Sequence, residues 1–171
     1  AMKQYGINRV SLGLQSANEI ELKVLNRIHS FKDLEESIDI LKAHGISNIN
    51  IDLMYAIANQ TIESFENSIQ KVLTLKPAHI SCYSLILEEG TALYKLHKEN
   101  KITFPTEDED ISMYELAVNM LTSAGYEHYE ISNFAKKGYK SKHNYNCWKQ
   151  HNYLGFGVAA HSYYNNIRYS N

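Results

Sequence analysis

NINIDLMY, residues 48–55, alternates apolar and polar side chains over eight positions. Successive strand residues point to opposite faces. Ile49, Ile51 and Leu53 therefore share one face of a strand, and Asn48, Asn50, Asp52 and Met54 share the other. Upstream, RVSLGLQ (9–15) has the same character, with Val10, Leu12 and Leu14 against Ser11, Gly13 and Gln15. Downstream, HISCYSLI (79–86) reads as a third strand. Helical patterns lie between them. Residues 18–28 carry Ile20, Val24 and Ile28 at helical spacing. Ser30 is a candidate N-cap for 31–44, with Leu34, Ile38 and Leu41 as the apolar stripe and Gly45 as the stop. Thr61 and Ser64 open a helix carrying Phe65, Ile69, Val72 and Leu73, which Pro77 ends. Strand and helix in alternation predict βαβ units and a parallel sheet.

Branched apolar residues fill the middle of a closed eight-stranded barrel. The polar faces of 9–15 and 48–55 leave two readings: an open or partial barrel with a wet ligand cavity, or a sheet face turned to solvent. Gln15 and Asp52 lie toward the C-terminal ends of their strands, where parallel α/β folds place their chemistry. The second half of the chain has a different texture. It holds a short amphipathic helix and acidic loop within 88–110, then a helix over 107–124 with Ile111, Tyr114, Met120 and Leu121, capped by Gly125. An alternating strand is predicted over 126–134, a basic loop over 136–146, and a last strand or tight turn over 154–164.

At 171 residues the chain can bury a real core. Its 44% hydrophobic and 21% charged content is that of a globular protein. A net charge of −2 gives no strong pull toward nucleic acid or an anionic membrane. No apolar run reaches the roughly 20 residues of a transmembrane helix, and no secretory h-region opens the sequence. These features predict a cytoplasmic location. Cys82 and Cys147 read as two reduced thiols, with a single disulfide as the alternative.

Six blocks carry a resemblance: GLQSANEIELKVLNRIH, NINIDLMY, HISCYSLILEEGT, MYELA, GYEHYEISNFAKKGYKSKHN and YLGFGVAAHSY. In this order, over nearly the whole chain, they resemble HemW-type heme chaperones, relatives of the oxygen-independent coproporphyrinogen III oxidase HemN. Both are radical S-adenosylmethionine (SAM) proteins. The resemblance implies an α/β fold: the later strands of a partial (β/α)6 barrel (residues 1–100), followed by a smaller, incomplete α+β C-terminal region (101–171). It places the start of the sequence at the fourth barrel strand. The family's Cys-x-x-x-Cys-x-x-Cys motif for a [4Fe–4S] cluster does not occur in this sequence. No metal ligands are therefore assigned, no catalytic residue is named, and the chain alone is expected to be inactive and to retain no cofactor tightly. An open edge at 9–15 predicts self-association, or an N-terminal rearrangement that covers the edge.

Residue by residue, the resemblance assigns SAM contacts to Gln15 of the GxQ block, Arg27 of the NR pair and Asp52 of NIDL. Ile86 and His161 align with positions lining the adenosine pocket in the oxidase relatives. Chemically, a carboxylate suits ribose hydroxyls or an ammonium, and an arginine fork suits the methionyl carboxylate. HNYNCW (143–148) resembles the HNxxYW motif associated with heme. His143, Asn144 and Trp148 match, while Cys147 replaces the tyrosine. That exchange either adds a heme ligand or removes a stacking ring. MYAIANQT (54–61) departs from the family's MYGLPGQT: Ala56, Ala58 and Asn59 stand for glycine, proline and glycine. The functions implied are heme binding and transfer, oxidative decarboxylation of coproporphyrinogen, or a non-catalytic remnant that binds porphyrin.

Overall fold

The structure is a computed structural model and describes residues 2–171. Two compact units divide at Tyr139 and Lys140. In the first, a one-turn 3-10 helix (Met2–Tyr5) precedes β1 (Arg9–Gln15), α1 (Glu19–Val24), α2 (Phe31–Ala43), β2 (Asn48–Tyr55), α3 (Ile62–Thr74) and β3 (His79–Ser84). Then come α4 (Ala92–Lys98), α5 (Glu107–Ser123), β4 (Glu127–Glu130) and β5 (Asn133–Ala135). The sheet order is β1-β2-β3-β5-β4. β1, β2 and β3 are parallel, as their spacing predicts, and β5 and β4 extend the sheet antiparallel. This unit thus runs past residue 100, because α5 packs on α3 and β5 pairs with β3.

One face of the sheet is apolar. Leu14, Ile49, Ile51, Leu53, Ile80, Cys82 and Phe134 are buried there with α2 (Leu34, Ile38, Leu41), α3 (Phe65, Ile69, Val72) and α5 (Met113, Ala117, Leu121). Local chemistry starts these helices where expected. Ser30 and Asp33 form a capping box on α2, and the Thr61 hydroxyl accepts from the Ser64 amide of α3. A second capping box, Thr106 with Glu109, starts α5.

Five sequence expectations need correction. α1 stops at Val24, four residues short of 28, because Asn26 takes a left-handed conformation (φ 54°) and the Arg27 amide donates back to the Leu22 carbonyl at 2.8 Å. The predicted stripe of that helix is turned outward: Ile20 is 70% exposed and Ile28 fully so, while Glu21 and Leu22 are buried. The strand at 79–86 ends at Ser84, leaving Ile86 exposed. The region 126–134 is two strands rather than one, with Ile131 and Ser132 at the reversal between them. The segment 136–146 is not all loop, since its end forms a helix in the second unit.

That second unit holds α6 (Lys142–Trp148) and an antiparallel hairpin of β6 (His161–Tyr164) and β7 (Ile167–Ser170). Asn165 and Asn166 both have positive φ, 50° and 63°, as a two-residue hairpin turn with the right twist requires. Tyr153 pairs with Tyr163 by two backbone hydrogen bonds, of 2.7 and 3.0 Å. Gly155 is needed where it stands, because a Cβ there would fall 2.3 Å from the His161 carbonyl oxygen.

Candidate functional site: the polar face of the parallel strands

The face of β1–β3 opposite the core collects polar groups in register. Ser11 stands beside Asn50 and Asn50 beside His79; Gly13 stands beside Asp52 and Asp52 beside Ser81. Gln15 leaves the regular ladder. The register shifts between Gly13 and Gln15, and Gln15 has φ 70°. A left-handed residue other than glycine costs roughly 1–2 kcal/mol. The Gln15 side chain folds back over Gly13, where an added Cβ would meet its Nε2 at 2.9 Å. The glycine of the GxQ block thus leaves room for the amide beside Asp52. Tyr83 completes this corner by donating to Gln15 Oε1 at 3.1 Å. Burial, then the charge of Asp52, raise the Tyr83 phenol above its usual range, while the Gln15 bond and Arg27 act the other way.

Asp52 is half-buried and accepts from Asn50 Nδ2 at 2.7 Å. Asn50 and His79 are buried beside it and joined at 2.6 Å, and His79 reaches the Tyr129 hydroxyl at 2.7 Å. Burial, with a smaller effect of Arg9, lowers His79 from 6.5 to about 4. The sign follows directly. The unfolded chain takes up a proton near pH 6.5 and the folded chain only near pH 4, so the stability from a neutral His79 is present above about pH 6.5 and lost as pH falls to about 4. Urea midpoints should therefore fall more steeply over this window in the wild type than in His79→Asn.

Arg27 lies beyond α1 on an exposed segment, which His29 ties back to the Leu14 carbonyl at 3.0 Å. Gln15 and Asp52 belong to neighbouring strands, β1 and β2, and Tyr83 bonds to Gln15. Ile86 follows β3 and is 80% exposed. His161 is an exposed residue of β6 in the second unit.

The loop after β2 holds two left-handed residues where the family has glycines. Ala56 (φ 56°) and Asn59 (φ 62°) both occupy the left-handed region. Asn59 is anchored there by two contacts with Thr103: its amide donates to the Thr103 carbonyl at 2.8 Å, and its Oδ1 accepts from the Thr103 amide at 3.2 Å. Sequence reasoning missed Glu21, which welds the loops after β1 and β2. Its buried carboxylate accepts from Ser16 Oγ at 2.6 Å, Gln60 Nε2 at 2.8 Å and Ser64 Oγ. Ser16 directly follows Gln15, so this carboxylate holds the end of β1 against the start of α3.

In the second unit, α6 places His143 and Cys147 one turn apart on one face, with Nε2 and Sγ 3.8 Å apart. Tyr153 meets the His143 ring edge-on at 6.4 Å, and Trp148 is half exposed. Both cysteines are free. They are no donor set for a [4Fe–4S] cluster: Cys82 is fully buried, and burial pushes its thiol up to about 12. Among the described residues no group of three or more His, Cys, Asp or Glu is placed to hold a metal ion.

The sheet is mixed and mostly parallel, with polar groups collected on one face. The profile of the Radical SAM superfamily matches residues 1–72. The chain is similar in sequence to the HemW heme chaperones. It is 41% identical over 96% of its length to the heme chaperone HemW of Lactococcus lactis, and 38% identical over 98% to that of Bacillus subtilis. The chain spans 44% of the length of each. The solved coproporphyrinogen III oxidase HemN of Escherichia coli has the same fold, with a TM-score of 0.77 at 22% identity over 95% of this chain and 40% of the other. Intact members of the superfamily use SAM and a [4Fe–4S] cluster.

Proposed function

We propose that this chain is the part of a cytoplasmic HemW-type heme-handling protein that binds the adenosyl moiety of SAM and contacts heme. The observation that carries the adenosyl reading is that Gly13, the register partner of Asp52, is overlain by the Gln15 amide, which a Cβ there would meet at 2.9 Å. In this reading Asp52 accepts from ribose hydroxyls, Gln15 offers its amide to the same ligand, and Arg27 grips the methionyl carboxylate. SAM when bound supplies the adenosyl group; this chain's residues only bind and orient it. Ile86 is assigned to the adenosine rim. The two-part division at residue 100 belongs to the same proposal, as a boundary of ancestry. So does self-association through β1, which forms one edge of the sheet.

Heme contact is assigned to His143, Cys147 and Trp148. His143 and Cys147 share one helix face, with Nε2 and Sγ 3.8 Å apart, and either would supply a heme ligand. They therefore serve as alternative ligands, with Trp148 offering a ring to the macrocycle. No helix among the described residues is long and apolar enough to cross a membrane. The adenosyl reading is tested by calorimetric titration with S-adenosylhomocysteine, which needs no cluster chemistry. The wild type should bind, and Asp52→Asn should weaken binding by about tenfold, the loss of one charge-assisted hydrogen bond. Equal affinities would remove Asp52 from the site.

A further inference from the structure

The buried groups behind Asp52 form a chain whose polarity can be read from one end to the other. A carboxylate only accepts, so Asn50 must turn its Nδ2 toward Asp52 Oδ1, at 2.7 Å. Asn50 Oδ1 then faces His79 Nδ1 at 2.6 Å and accepts from Ser81 Oγ at 3.2 Å. His79 must therefore carry its proton on Nδ1, which leaves Nε2 as a lone pair. The Tyr129 hydroxyl, 2.7 Å away, donates to it. His79 and Asn50 are 1% and 2% exposed, so water has little access to substitute for a lost partner.

We propose that Tyr129, His79 and Asn50 form a polar relay that sets how Asp52 is presented, with His79 as a positioning residue for the hydroxyl-bearing ligand of that carboxylate. The inference rests on the adenosyl reading of Asp52 and adds what controls it. With Asn50 occupying Oδ1, the relay leaves Oδ2 for the ligand. The opposite tautomer of His79 would present a lone pair to Asn50 Oδ1. The amide would then flip and bring its oxygen against the Asp52 carboxylate. The Asp52 carboxylate disfavours this through Asn50, and the Tyr129 hydroxyl supports the Nδ1–H tautomer by donating to Nε2. The relay thus begins on β4, reaches over β5 to β3 and ends on β2, so the outermost strand of the sheet acts on the site.

The test uses the whole chain and two readouts. The first needs no ligand: the 15N signals of His79 and the carboxyl 13C signal of Asp52. The wild type should show a single Nδ1–H tautomer. Tyr129→Phe should mix the tautomers and shift the Asp52 carbon, and His79→Leu should shift it further. His79→Asn, whose amide can still donate to Asn50, should restore it. The second readout is S-adenosylhomocysteine affinity, expected to fall about tenfold in His79→Leu, less in Tyr129→Phe, and to recover in His79→Asn. An unchanged tautomer in Tyr129→Phe with an unmoved Asp52 signal would overturn the relay. If those signals move while Asp52→Asn binds the ligand as the wild type does, the relay stands and the adenosyl reading falls.

Discussion

Glu21→Ala should destabilise the chain by about 3–5 kcal/mol, because it strips three donors of their acceptor in a buried setting. Ser16 Oγ, Gln60 Nε2 and Ser64 Oγ all end on this carboxylate. Neighbouring bonds depend on the same geometry: the Ala17 amide donates to Ser68 Oγ at 3.1 Å, and Asn18 Nδ2 donates to Ser64 Oγ at 2.9 Å. Glu21→Gln keeps an acceptor oxygen and the side-chain shape, and should cost about 1–2 kcal/mol. Urea denaturation of both variants measures the difference. A near-zero cost for Glu21→Ala would mean that the loops after β1 and β2 are held by something else.

Phe65→Ala should cost a comparable amount by a different route. Phe65 has no exposed surface and meets the Tyr55 ring at a centroid distance of 5.7 Å, under the centre of β2. Truncation removes a large apolar side chain and leaves a cavity between α3 and the sheet, typically about 3–5 kcal/mol. Calorimetric melting should show a single transition at lower temperature. Little change in the transition would show that α3 is not seated on β2 as described.

The parallel strands were legible because their alternation is strong and because serine and threonine caps mark the helices between them. Ser30 and Thr61 both act as read. The polar face followed from the same alternation, but the register shift that sets Gln15 opposite Leu53 did not. α1 defeated the pattern because tertiary packing chose its face. Glu21 is buried by hydrogen bonds that no periodicity encodes, and Ile20 is left outside. The reversal at Ile131 and Ser132 carries no glycine, proline or asparagine, so 126–134 read as one strand. The helix Lys142–Trp148 has no apolar stripe and begins in a run rich in asparagine, a poor helix former. Two signals were present and unused. The Thr106–Glu109 spacing is a capping box, and Asn165–Asn166 is a hairpin turn. The relay through His79 was hidden because Tyr129 and Asn50 are brought together only by the order of β2, β3, β5 and β4.

The heme reading is tested most directly by titrating hemin into the wild type, His143→Ala and Cys147→Ser and recording the Soret band of each. Since α6 presents His143 and Cys147 as alternatives on one face, the wild type should bind heme and both variants should still do so, each with a different spectrum. A thiolate signature should vanish in Cys147→Ser, and an imidazole signature should vanish in His143→Ala. Identical Soret spectra in all three proteins would contradict the account and remove this segment from heme handling.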